Sequence, residues 1–474
     1  MIGLVLKKEL NAFWRDGRLL LLGLSLLCVF MGVMAASASA AAKAQAERDA
    51  VGATARAQWD QQGVKHPHRA AHFGIYVFKP MLALAAVDPG INAQVGQSLW
   101  LEPHKRNLAR NAPAVDDPPS ARLGEAAPAF VLLVLMPLLI IGLGHNAVTQ
   151  ERESGTLRML HAAGVRTGAL LLGKWLALML VIGFLLLPAG VAGAWLLVPA
   201  GGWNEGADGV VRIALYGAGL FTYFAILAAL AIAVSARART SRGALLVLLG
   251  AWIVFAWLAP RLGAAAAQTW RPVPSGEAFS AAVARDIQQG LPGDGDAAGR
   301  LSAFENQLLK EHGVARLEDL PLGANAARRI FRDAYATRVY AMHFSKLWDE
   351  YAVQQNVVRA AGLFSPLVPM RGLSAAMAGT DLAHQRHYEE AAEAYREYFT
   401  VQIDEWDKSA RSGLVSAEDK YADDAQWQAV APFRYQIPKA SFALVQAAPD
   451  VLILLAWLVA AAAAVGWAAR KVEP

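Results

Sequence analysis

Six predominantly apolar stretches, each about as long as a helix that crosses a bilayer, constrain this chain more than any other feature. They run over Leu19–Ala40, Ala126–Ala147, Leu170–Pro199, Val211–Val234, Ala244–Ala265 and Asp450–Ala469. A hydrocarbon core about 30 Å thick needs roughly 20 helical residues. The pattern therefore predicts an all-α polytopic membrane protein with six transmembrane helices. Composition agrees, since 55% of the 474 residues are hydrophobic and only 18% are charged, less than a soluble fold usually carries. The third stretch contains Pro188 and is longer than a bilayer requires, which predicts a tilt or kink. The last is Ala-rich and leans on its basic flank, Arg470 and Lys471.

Lys and Arg in the short connections set the expected orientation. Lys7, Lys8, Arg15 and Arg18 precede the first stretch, and Arg152, Arg158 and Arg166 lie between the second and third. Arg237, Arg239 and Arg242 lie between the fourth and fifth. If all six stretches cross, every one of these falls on one side, and "GGWNEGADG", with no Lys or Arg, falls on the other. Both termini are thus expected in the cytoplasm. Within residues 1–18, Ile2, Leu6, Leu10 and Phe13 share one helical face and Lys7, Lys8, Arg15 and Arg18 another, as in an interfacial helix. A basic start, an apolar run and "AASASA" also resemble a secretory signal; the run is long for one, so an uncleaved first span is expected.

This topology leaves two polar blocks outside the cytoplasm, residues 41–125 and 268–448. The larger reads as mostly helical, with Ile330, Tyr335, Val339, Met342 and Leu347 on one stripe. Tyr388, Ala391, Tyr395, Phe399 and Ile403 form a second stripe, and "GLPGDGDAAG" is a loop. The smaller block is mixed, with "FGIYVF" β-prone and "AVDPG" a turn. The net charge of +5 is small for this length and predicts no nucleic-acid partner. The one cysteine, Cys28, excludes an internal disulfide.

The connection at residues 148–169 is rich in charge where the chain around it is apolar. As a helix it places Thr156, Leu157, Met159 and Leu160 beside Glu151, Glu153 and Arg158. Two readings stand on chemistry alone: a surface offered to something below the membrane, or a solvated loop whose arginines set topology. "ERESGTLRMLHAAGVRTGALLLGKWLAL" resembles the signature connection of ABC-2-type permeases, the membrane subunits of ABC transporters. The Glu–x–x–x–Gly–Thr–Leu element, a following Leu and a Lys entering the third span correspond here to Glu151, Gly155, Thr156, Leu157, Leu160 and Lys174. The resemblance implies six spans, an N-terminal elbow helix and a coupling segment, Glu151, Arg152, Glu153, Ser154, Gly155, Thr156, Leu157 and Leu160, that docks on a separate ATPase. It further implies ATP and Mg on that partner, no cofactor and no catalysis in this chain, export-like translocation, and pairing with a second copy or a sister permease. "HPHRAAHFGIYVFKP" and "FSPLVPMRGLSAAMAGTDLAHQRHYEEAAEAYR" are similar to a bacterial subfamily whose insert is a domain of unknown function, DUF3526, which implies the bacterial inner membrane. The size of the polar blocks supports an alternative, in which ATP-driven motion acts on a periplasmic or outer-membrane partner and nothing crosses the bilayer. A membrane-anchored enzyme is the third reading.

Other motifs carry less. Gly168 to Lys174 matches most of a P-loop, but Trp175 stands where a hydroxyl should hold Mg²⁺ and no strand precedes it. Lys174 is expected to snorkel at the interface. His66 with His68, or Asp381 with His384 and His387, offers partial metal-ligand spacing. Ordinary helical surface or core positions account for the same histidines. A hydrolase built on His with Ser374 or Asp381 lacks triad spacing. Ionisable residues in the stretches read as nearly absent, which disfavours proton coupling. Arg261 and His145 are expected to snorkel, and Trp195, Trp203 and Trp257 to anchor at the interface.

Overall fold

The computed structural model describes residues 1–15, 17, 19–109, 127–198, 205–409 and 421–472. Arg18, Ala126, Pro199 and Trp203 lie outside the described residues, as do 110–125 of the smaller block. The fold is 77% helical with little sheet. Six helices are long and apolar enough to cross a membrane: Leu19–Asp60, Pro128–Glu153, Thr167–Leu196, Gly206–Arg237, Ser241–Trp270 and Ala440–Arg470. The helix of residues 167–196 continues through Pro188.

Two of these helices outrun the apolar stretches inside them by about ten residues or more. The first continues to Asp60, because "AAKAQAERDAVGATARAQWD" is rich in Ala and other helix formers and holds nothing that stops a helix. The last begins at Ala440, ahead of Pro449. Both carry helix directly from the bundle into the polar part of the chain. Gly206–Arg237 is central, burying Tyr223, Phe224 and Ile226 against Ile140, Ile182 and Leu454 of its neighbours. Small residues let the backbones approach closely. Large apolar side chains such as Phe184, Leu187, Val191, Leu246 and Val459 stand exposed on the outer faces, as helices bordered by lipid require.

At one end of the bundle the N-terminal helix Ile2–Arg15, the connection after the second helix and the C-terminus meet. Val5, Val148, Leu157, Leu170, Ala236 and Ala468 share one small core there. Arg237 donates to the Lys471 carbonyl at 2.7 Å. At the opposite end stands the polar head. Strand β1 (Ile75–Phe78) pairs antiparallel with β2 (Ser98–Leu101), in register Ile75 to Leu101. The hairpin packs on helix Leu382–Ser409, whose Tyr388 donates to the Val77 carbonyl at 3.0 Å. The two polar blocks share a core of Trp59, Val77, Leu101, Tyr388, Phe399 and Trp427. At the tip of the first helix Trp59 donates to the Trp427 carbonyl at 2.9 Å.

Three expectations need correction. Helix Leu367–Ala378, assigned to the outer block, is seated in the mouth of the bundle, with Leu367, Met370, Leu373 and Met377 in the main core. It has 12 residues, about 18 Å of rise, too short to span and apolar enough to be buried. Second, the stripe along Ala324–Ala360 turns Val339, Phe344 and Trp348 inward and leaves Met342 exposed. On Leu382–Ser409 it is Ala392, not Ala391, that is fully buried. Third, ionisable groups are not absent from the bundle: Lys174, Arg212 and Asp450 are all buried.

Lys79 is buried where the hairpin block meets Leu382–Ser409. Its Nζ donates to Asn92 Oδ1 and Gln385 Oε1, both at 2.9 Å. Burial pushes the amine down to about 8, against the pull of Asp381 and Glu389. The unfolded chain holds that proton up to its ordinary value of 10.5. Below pH 8 both states are charged and folding carries a penalty of ~3 kcal/mol, which fades as pH rises through 10.5. The unfolding midpoint of the wild type should therefore rise relative to Lys79→Met between pH 7.5 and 10.5. A pH-independent difference between the two proteins would contradict this.

Candidate functional site

The connection after the second helix is built by two left-handed glycines. Gly155 (φ 74°) and Gly164 (φ 78°) flank the short helix Thr156–Ala162 and turn the chain back into the bundle. Leu157 is the knob that seats this helix, fully buried in the small core beneath the N-terminal helix. Leu160 is half-buried beside it. Thr156 donates to the Glu151 carbonyl at 3.2 Å and pairs with Ser154 Oγ at 2.9 Å, so the turn is also tied from within. Upstream, Ser235 Oγ accepts from Val148 N at 2.9 Å, binding the connection to the fourth helix.

Three consecutive charges brace the connection against four different elements. Glu151 is buried and accepts from Lys8 of the N-terminal helix and from Lys174 of the third helix, the latter at 3.1 Å. Lys174 also donates to Glu9 at 2.8 Å, giving a neutral cluster of two cations and two carboxylates. Arg152 donates to the carbonyls of Ala236 and Ala238 (2.8 Å to Ala236), satisfying the end of the fourth helix where the helix dipole favours a cation. Glu153 accepts from Ser241 N at 2.7 Å and Ser241 Oγ at 2.8 Å, at the start of the fifth helix.

The side chains of the connection do not all point the same way. Glu151, Arg152, Glu153 and Leu157 hold the connection to the bundle, while Ser154, Gly155, Thr156, Arg158 and Met159 face outward. A helix this short is held by burying its one apolar face, and Leu157 and Leu160 are that face. Met159 is left 71% exposed. A groove alongside is lined by Phe13, Asn146, Gln150, Ser154 and Met159. Lys174 does not snorkel; its carboxylate partners hold it inside. The P-loop match lies within the regular helix Thr167–Leu196. A Cβ at Gly173 would stand 2.7 Å from Val5, so this glycine serves close helix packing.

The histidines separate differently from their sequence pairing. His66 Nδ1 accepts from His68 N as a helix cap, and its Nε2 faces Asp407 at 3.3 Å, away from the His68 ring partners. Asp381 is taken up by His384 Nδ1 at 2.5 Å, whereas His387 pairs with the Tyr435 hydroxyl at 2.9 Å. Neither predicted ligand set converges. Ser374 donates to Asp88 rather than meeting a histidine, so no triad forms there. His68, His72 and His104 instead come together, with one nitrogen from each ring within 4.8 Å of the others. Burial foremost, then Arg329 and the neighbouring imidazoles, pushes His68 down to about 3, and burial also lowers His72. His68 and His72 carry a local signal, the i,i+4 spacing of "HRAAH". His104 carries none, because a strand pairing delivers it.

Two comparisons bear on the head. The chain matches none of the curated proteins. Residues 277–436, about a third of the chain, match the family model described as a domain of unknown function, DUF3526.

Proposed function

We propose that this chain is the membrane-spanning permease subunit of an ABC-2-type transporter in a bacterial inner membrane, with both termini cytoplasmic. It couples ATP hydrolysis by separate ATPase subunits to export-like translocation, and pairs with a second copy or a sister permease. ATP and Mg belong to the ATPase; this chain hydrolyses nothing. One observation carries the reading: Glu151, Arg152 and Glu153, immediately before the short helix Thr156–Ala162, are braced to the N-terminal, third, fourth and fifth helices, while that helix turns Arg158 and Met159 outward. A push on such a helix moves four elements together. The resemblance of its residues to the coupling segment of that class points the same way.

A second reading draws on the helices that run unbroken into the head. Leu24–Asp60 ends on the Trp59–Trp427 contact, so bundle motion reaches the head through continuous helix. In this version the head acts on a periplasmic or outer-membrane partner and no cargo crosses.

Met159→Glu and Arg158→Glu test the docking surface without touching the braces. Both side chains are exposed, so membrane insertion and the unfolding midpoint should stay within the range of surface substitutions, ~0.5 kcal/mol. Co-purification of the ATPase, and ATP hydrolysis by the reconstituted complex, should fall at least tenfold. Normal assembly and hydrolysis by both variants would remove the coupling assignment. Cargo accumulation in sealed vesicles separates the two readings.

A further inference from the structure

We propose that His68, His72 and His104 form a three-histidine site for a divalent cation of the zinc type, built where the two polar blocks meet. His68 and His72 stand i,i+4 on helix Pro67–Ala71 and its C-cap, with Nε2 atoms 3.2 Å apart. Two nitrogens on a tetrahedral Zn²⁺, each at about 2.0–2.1 Å, are separated by about 3.3 Å. His104 arrives from beyond strand β2 and places its ring 5.1 Å from that of His68 and 5.2 Å from that of His72.

Outer groups are arranged as metal-binding imidazoles require. His104 Nδ1 lies 2.8 Å from both carboxylate oxygens of Asp333, which fixes the tautomer and leaves the Nε2 lone pair for a ligand. His68 Nδ1 is buried without a hydrogen bond and lies 3.8 Å from Asp404 Oδ1. A small ring rotation makes that the second carboxylate–imidazole pair. Asp404 and Asp407 share one guanidinium, Arg329, and Asp333 pairs with His104 itself, so carboxylates stand beside the site to offset a cation. His104 has φ 69°, the one positive φ outside glycine among the described residues. Backbone strain of this kind persists where a side chain must be held in one place.

The three ligands come from the smaller polar block, whereas Asp333 and Asp404 lie inside the DUF3526 match. A bound cation would pin the two blocks together. His72 is exposed, which provides an entry path and leaves a fourth coordination position for water or a donor from a partner.

The test uses the full chain, tag-free, in detergent after chelation. Titration with Zn²⁺ should give one equivalent per chain at micromolar or tighter affinity, with a higher unfolding midpoint. Co²⁺ should give the intense visible absorption of a tetrahedral site. His72→Ala and His104→Ala should each weaken binding at least a hundredfold, and Asp333→Asn by 10- to 100-fold, an effect typical of such partners. His312→Ala, at an exposed histidine that ends helix Ala297–His312, should leave binding unchanged. Because His72 is exposed, its replacement keeps the head folded, shown by an unaltered metal-free midpoint. Absence of stoichiometric binding, or binding that survives both His72→Ala and His104→Ala, overturns the site.

Discussion

Glu151→Lys is expected to unfold the end of the bundle rather than merely uncouple a partner. The variant replaces two cations and two carboxylates by three cations facing Glu9 alone, in a pocket where the Glu151 and Lys174 side chains are 8% and 2% exposed. Removing one member of a buried ion pair costs about 3–5 kcal/mol, because the remaining charge stays desolvated. Reversal adds repulsion to that loss. The measurement is the unfolding midpoint in detergent, together with the amount of chain recovered in membranes. Combining Glu151→Lys with Lys174→Glu restores the count of charges and should recover part of the loss, since the two positions are coupled. A wild-type midpoint for the single variant would mean that the buried cluster does not hold the connection. Glu151 is therefore a poor probe of coupling, and the exposed Met159 a good one.

Arg212→Leu should be nearly as damaging, and at the opposite end. Arg212 is fully buried in the central helix and donates from Nε to Asp208 at 2.9 Å. Its other nitrogens reach the Ala376, Met377 and Pro438 carbonyls, at 3.3 Å and 3.1 Å for the first two. Ala376 and Met377 end the helix seated in the mouth of the bundle, where carbonyls lack helical partners and the dipole favours a cation. Asp208 accepts from Ala440 N at 2.8 Å, at the start of the last helix. One Arg–Asp pair thus fastens three helices. Leucine removes the guanidinium from three carbonyls and from Asp208, leaving Ala376 only the Gly379 N–H and Asp208 only the Ala440 N–H, a loss of about 3–5 kcal/mol. Arg212→Lys keeps the charge but not the planar fork, and should fall between. Proteolysis at residues 376–382 in membranes, together with the unfolding midpoint, reads both effects. Equal protection of wild type and Arg212→Leu would contradict the clamp.

What was legible in advance follows the range of the interactions concerned. The six long apolar helices were visible because length and hydrophobicity are properties of neighbouring residues, and each helix contains its apolar stretch over nearly all the described residues. Helix Ala324–Ala360 and strand Ile75–Phe78 were visible for the same reason. The first helix was cut short because hydropathy falls after Ala40 while helix propensity does not. Of the connection, sequence located the residues but carried no sign of which of them the bundle holds. Glu151 looks like an offered charge until Lys8, 143 positions away, is set beside it. His104 looks like an isolated histidine until Asp333, 229 positions away, and the His68–His72 pair surround it.

By itself the sequence determined that this chain is helical and carries six helices long and apolar enough to cross a membrane, with one charged turn after the second. Burial of apolar residues and satisfaction of backbone groups within each helix are local demands, written in consecutive residues. Only the tertiary structure decided which charges are braces and which face outward, and that Leu367–Ala378 enters the bundle. It alone brought three histidines from two segments together. Each of these depends on charges and polar atoms finding partners far along the chain. A buried charge is stable only when such a partner is present, and no local pattern records where that partner lies.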